Sequence, residues 1–107
     1  MEEKFMTPPN HEKFLAKKLF NDAGKIHWGA VAYIEVGGGG PKNNHTHEDD
    51  HIFIVVDGEV KIIVDGTENI VGKDNSFYVK GSLPHSIWNN GNTTAKVIKI
   101  SVSKLQD

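Results

Sequence analysis

From residue 27 onward the apolar positions fall in short blocks with a period of two. Trp28, Ala30, Ala32, Ile34 and Val36 alternate along one segment, the spacing of a strand with one buried face. Gly37 to Gly40, followed by Pro41, predict a turn or loop, because consecutive glycines hold no regular element cheaply. Ile52 to Val56 is a β-rich run ending in Asp57-Gly58, and Val60 to Val64 ends in Asp65-Gly66. Both endings predict hairpins. Ile70-Val71 stops at Gly72, Ser76 to Val79 forms a further short strand, and Ser86 to Trp88 runs into the turn Asn89-Asn90-Gly91. Val97 to Val102 sets Ile98, Ile100 and Val102 against Lys96, Lys99 and Ser101, with Val97 out of step. Upstream, residues 1–10 carry Pro8 and Pro9 and read as an extended arm. Residues 11–20 fit a helix by propensity, with Asn10 as a cap, Gly24 as a stop and Phe14-Leu15 and Leu19-Phe20 at helical spacing.

Many short strands separated by regular turn signals predict an antiparallel sandwich or barrel. The frequent glycines and the Val- and Ile-rich apolar set favour the same all-β class. A length of 107 residues suits one compact domain, residues 1–107, with no repeat or linker. The formal net charge is −2 and no Lys/Arg run stands out, so no nucleic-acid partner is expected. The apolar runs are far short of a membrane span. With no cysteine, disulfide and thiolate chemistry are excluded. Met1-Glu2-Glu3-Lys4 lacks the pattern of a secretory signal. The cytoplasm is therefore the default location, and Asn44-His45-Thr46 and Asn92-Thr93-Thr94 read as chance matches to a glycosylation triplet.

The chemistry lies in the histidines. His45, His47 and His51 fall within one seven-residue stretch, His45-Thr46-His47-Glu48-Asp49-Asp50-His51. Residues two apart on a strand share a face, so His45 and His47 can point inward together, and His51 has the same parity. Neutral imidazoles bind borderline divalent ions. His85, in Leu83-Pro84-His85-Ser86, is remote in sequence, but a closed barrel can bring it across. From spacing alone, a metal site and a set of solvated histidines both remain open. His11 and His27 have no partner at ligand spacing and read as surface or packing residues. Glu48, Asp49 and Asp50 read as a solvated acidic turn in preference to groups orienting an imidazole. Phe53 and Val55 share parity with His51 and should line the interior. Trp28, Tyr33, Phe77 and Trp88 read as core or interface aromatics, and Lys61, Lys73, Lys80 and Lys96 as solvent-facing charges. No helix with Lys and Ser/Thr follows the glycines, which excludes a phosphate loop.

Taken together, Gly39, His45-Thr46-His47, position 51 and Gly58 resemble the first motif of the cupin family. Gly72, Phe77-Tyr78-Val79, Gly81-Ser82-Leu83-Pro84-His85 and Asn89 resemble the second. The resemblance implies a small jelly-roll β-barrel (a double-stranded β-helix) with one divalent transition metal ion, Zn, Fe, Mn or Ni, held inside by His45, His47, His51 and His85. It also implies that residues 11–20 form a strand, against their propensity. The motif usually has Glu where this chain has His51, and usually has Pro where this chain has Lys80. Four neutral imidazoles leave the ion's full charge in place, so the site should draw anions. The resemblance implies either a metal-dependent enzyme of oxygenase, isomerase or lyase type acting on a small anionic or oxygenated substrate, or a non-catalytic barrel. The latter would bind a sugar-like ligand or hold its metal for structure. Cupin-like barrels often pair, and the N-terminal arm offers a segment to pack, so a homodimer is expected.

Overall fold

The computed structural model describes residues 4–104, with the side chains of residues 20–23, 44 and 45 outside that description. Eight strands follow in chain order: β1 (Glu12–Ala23), β2 (Ile26–His45), β3 (Asp50–Asp57), β4 (Glu59–Val64), β5 (Thr67–Gly72), β6 (Ser76–Val79), β7 (His85–Asn89) and β8 (Ala95–Val102). No helix occurs among the described residues. The strands pair in the order β5-β4-β7-β2-β8-β3-β6, and β1 pairs with β2. Every pairing is antiparallel. The sheet rolls into a nearly closed antiparallel barrel, as the strand pattern predicts, and of the jelly-roll kind that the resemblance implies.

Three local expectations are corrected. The segment with helical propensity is a strand: Phe14 to Ala23 pairs with β2 from Ile34 back to Ile26. Cross-strand pairing with a long neighbour overrides intrinsic preference. Phe14 is buried while Leu15 and Leu19 are exposed. The glycine run is also strand, because β2 continues through it to His45. Up to Ile34 β2 pairs with β1 and β8, and from Gly39 it pairs with β7. Gly39 sits at φ 151°, and a Cβ there would lie 2.5 Å from the Ile87 carbonyl oxygen. Only glycine lets the backbone approach β7 this closely. Finally, Asp57-Gly58 is a crossover and not a hairpin. It joins β3, which pairs with β6 and β8, to β4, which pairs with β5 and β7. Asp65-Gly66 is a hairpin as expected, with φ of 49° and 82° and Val64 opposite Thr67.

The core is aliphatic, with Ile34, Val55, Val60, Ile62 and Ala95 fully buried. Burial of each large member contributes about 1.5–3 kcal/mol. The face of β8 differs from expectation. Ala95, Val97 and Ser101 are the buried residues, and Ile98, Ile100 and Val102 are only half-buried. Register decides this: Val97 lies opposite Val55, Lys99 opposite Phe53 and Ser101 opposite His51. Directly opposed residues share a face, and that face is the interior. Lys99 therefore points inward with the core residues.

Candidate metal centre and cavity

His47, His51 and His85 each offer one ring nitrogen, and these atoms lie within 4.8 Å of one another. They arrive from different elements. His51 is the second residue of β3, opposite Val79 and Ser101, and is 1% exposed. His85 opens β7 and is 3% exposed. The backbone of His45 pairs with that of His85 at the end of β2, while the His45 side chain lies outside the described residues. The parity expected of His45 and His47 does not apply, because β2 ends at His45. His47 follows in a loop, where its backbone N–H donates to the Gly81 carbonyl at 2.7 Å.

Two of the imidazoles are set up to offer a ring nitrogen to an ion. His85 Nδ1 donates to the Leu83 carbonyl at 2.8 Å. Since a carbonyl only accepts, the neutral ring carries its proton on Nδ1 and its lone pair on Nε2, which is buried. Burial pushes His51 down to about 2, with Lys99, His47 and His85 adding repulsion. Neither ring nitrogen of His51 has a hydrogen-bond partner among the described residues. A buried imidazole left this way costs free energy unless something else binds it. The donor set, all imidazole nitrogen, suits a borderline divalent ion.

The acidic turn is not simply solvated. Glu48 is exposed, but Asp50 is 4% exposed. Its carboxylate accepts the Gly81 backbone N–H at 2.9 Å and the Tyr78 hydroxyl. Donating this bond to Asp50 raises Tyr78 to about 12. Asp50 thereby ties the start of β3 to the turn that leads to His85. The approach is tight: a Cβ on Gly81 would lie 1.8 Å from the Asp49 carbonyl oxygen and 2.8 Å from that of His47. Asp49 accepts from His27 Nδ1 at 2.7 Å and from Ser101 Oγ at 3.1 Å, and His27 Nε2 accepts from Ser103 Oγ at 2.9 Å. The His27 bond holds the Asp49 carboxyl below its usual range. This chain fixes the His47 loop against β2 and the end of β8. His27 is thus ordinary polar packing, as expected, and Asn89 holds its turn through bonds to Ile34, Thr93 and Gly91.

A cavity of about 500 Å³ opens beside the histidines, with His47 and His85 in its wall. Phe14, Phe53, Ile87 and Val97 make much of the rest apolar. Trp28 also lines it, so its expected place as a core or interface aromatic is incomplete. The arm contributes Met6, Pro8 and Pro9, docked by paired backbone bonds between Met6 and Ala16 at 2.9 and 2.8 Å. Sequence reasoning missed Lys99, which lines the cavity too. Its ammonium lies 5.3 Å from the centre of the Trp28 ring and 5.8 Å from that of Phe53. Burial pushes it down to about 8. The available signal was Val97: counting the inward face from that residue instead of from Ile98 places Lys99 inside.

Comparison with known proteins supplies a family. The domain model described as "Cupin domain" matches residues 30–102. Comparison with curated proteins gives no match. A solved structure of a predicted oxalate decarboxylase from Thermotoga maritima is similar, with TM-score 0.81 and 14% identity over 96% of this chain and 93% of that one. The polyketide cyclase from Streptomyces resistomycificus gives TM-score 0.77 and 17% identity over 95% of this chain and 75% of that one. The cupin domain of a transcriptional regulator from Enterobacter cloacae gives TM-score 0.77 and 18% identity over 88% of this chain and all of that one, 100%. At such identities the likeness is one of fold.

Proposed function

Since the chain belongs to the cupin family, we propose that it is a metal-dependent enzyme acting on a small anionic or oxygenated molecule bound in the cavity. One divalent transition metal ion, Zn, Fe, Mn or Ni, is held by His47, His51 and His85, with His45 as the fourth ligand. The observation that carries this reading is the convergence of three buried ring nitrogens within 4.8 Å at the wall of a cavity large enough for a substrate. The ion would supply Lewis-acid polarisation of a bound oxygen. The protein's own residues hold the substrate against an apolar wall and limit water around it. Two of the similar folds are a predicted oxalate decarboxylase and a polyketide cyclase, which agrees with a small oxygenated substrate.

The test is elemental analysis of protein purified without added metal, followed by a substrate screen with the ion found. Stoichiometric metal in the wild type, lost in His47→Ala together with a lower melting temperature, supports the site, because an ion bound only by the folded state stabilises it. Full occupancy in His47→Ala refutes it.

The same reading takes residues 1–107 as one domain that works as a homodimer. Exposed Leu15, Leu19 and Tyr33 on β1 and β2, with the Phe5 ring 5.8 Å from Tyr33, support a face that a second copy covers. Light scattering that reports a monomer at micromolar concentration refutes this.

A further inference from the structure

We infer that Lys99 makes the cavity a site for a monocarboxylate with a flat apolar body. The inference rests on the proposed function, in which this cavity takes the substrate.

Lys99 stands on β8 opposite Phe53 of β3 and Ala30 of β2, both buried and both lining the cavity. Its ammonium lies over the faces of Trp28 and Phe53. Among the described residues no carboxylate comes within ion-pair distance of it. Asp49 and Asp50, beside the histidines, are engaged elsewhere, Asp49 by His27 and Ser101 and Asp50 by Gly81 and Tyr78. Lys99 is half-buried, and a cation partly withdrawn from water into largely apolar surroundings is costly without a counter-charge. Ring faces offset part of that cost, and an anion in the cavity offsets the rest.

The shape of the site sets the rest of the ligand. Lys18 also reaches the cavity wall but is exposed to water, whereas Lys99 is half-buried beside the rings. Lys99 is a compact point charge and not a planar fork, which suits a single anionic group. Trp28, Phe53, Phe14 and Val97 surround the space next to it. A flat apolar body lies against such walls, and a volume of about 500 Å³ accommodates one.

The test titrates benzoate and its neutral counterpart, benzyl alcohol, into the full chain. Tryptophan fluorescence and calorimetry give the readout, on protein as purified and on chelator-treated protein checked by circular dichroism. Wild type should bind benzoate at least about tenfold more tightly than benzyl alcohol, in both metal states, a difference of roughly 1.4 kcal/mol or more. Lys99→Met should abolish the preference while keeping the fold, and Lys99→Arg should retain it. Equal benzoate affinity in wild type and Lys99→Met overturns the inference, as does benzyl alcohol binding as well as benzoate or no binding of either. A preference that disappears with the metal and ignores Lys99→Met assigns recognition to the ion, overturning the Lys99 inference but not the proposed function. A Lys99-dependent preference in protein that never carries metal supports the inference and refutes the metal reading.

Discussion

Replacing Asp50 with Ala should cost far more than an acidic turn residue normally does. The carboxylate is 4% exposed and accepts hydrogen bonds from the Gly81 backbone at 2.9 Å and from the Tyr78 hydroxyl. Hydrogen bonds to charged groups contribute about 1.5–3 kcal/mol each. The Gly81 donor is buried and would lose its partner, whereas Tyr78 is 38% exposed and can turn to water, so its share belongs at the low end. Loss of the buried charge returns part of its desolvation cost. The net destabilisation is about 3 kcal/mol. With a urea slope near 1.5 kcal/mol per molar, typical for a small protein, the midpoint should fall by about 2 M. Tyr78→Phe alone should cost about 1 kcal/mol, and a double-mutant cycle with Asp50→Ala should recover a coupling of that size. Because Asp50 holds the turn before His85, Asp50→Ala should also weaken metal binding, read by competition with a chelator. A midpoint within about 0.3 M of wild type, equivalent to roughly 0.5 kcal/mol, would refute the argument and return Asp50 to the status of a solvated acid.

Three further outcomes follow from the same geometry. Tyr78 should titrate by phenolate absorbance near 12 and not near 10.0. Because the folded value is raised, the stability it contributes is fully present below 10 and is lost as pH rises through about 12. Asp50→Asn should move the titration back toward the ordinary value. Gly81→Ala should cost about 3 kcal/mol and displace bound metal, since a Cβ 1.8 Å from the Asp49 carbonyl forces the two loops apart. A melting temperature equal to wild type would contradict that. His51→Glu should keep the ion, since carboxylate oxygen is also an acceptable ligand, but weaken binding of oxalate or azide. Unit charges a few ångströms apart interact by about 4 kcal/mol at an effective dielectric near 20, so a fraction of this gives a tenfold change at fixed salt. Equal affinities at equal metal content would show that His51 does not set the charge of the site.

The strands were legible because alternation marks them, and Phe53 and Val55 face inward with His51 as their shared parity predicts. Partnership was less legible. Asp57-Gly58 and Asp65-Gly66 carry the same local signal, but one crosses between halves of the barrel and the other closes a hairpin. Turn chemistry fixes a bend and not the strand that receives the chain. The glycine run reads as a break by entropy, yet Gly39 is required by the approach of β7 and Gly38 by that of β1. His51 and His85 were recoverable from the motifs, and the structure brings them together with His47. The inward direction of Lys99 was not recoverable from composition, because an amine on an alternating strand reads as solvent-facing. Register with Phe53 decides it. Asp50 was misread for a related reason: its partner Gly81 stands 31 residues away.

The position of β8 has a consequence for timing. It lies between β2 and β3 in the sheet although it is the last strand in the chain. While the ribosome is still adding residues before Ala95, β2 and β3 have no neighbour to join them. The face that carries Lys99 does not yet exist. His51 can therefore be buried, and the cavity closed, only after β8 has emerged and inserted. Pairings that wait on such distant segments form slowly, on millisecond-to-second scales. Until then the strand edges of β2 and β3 are open to pairing with other chains.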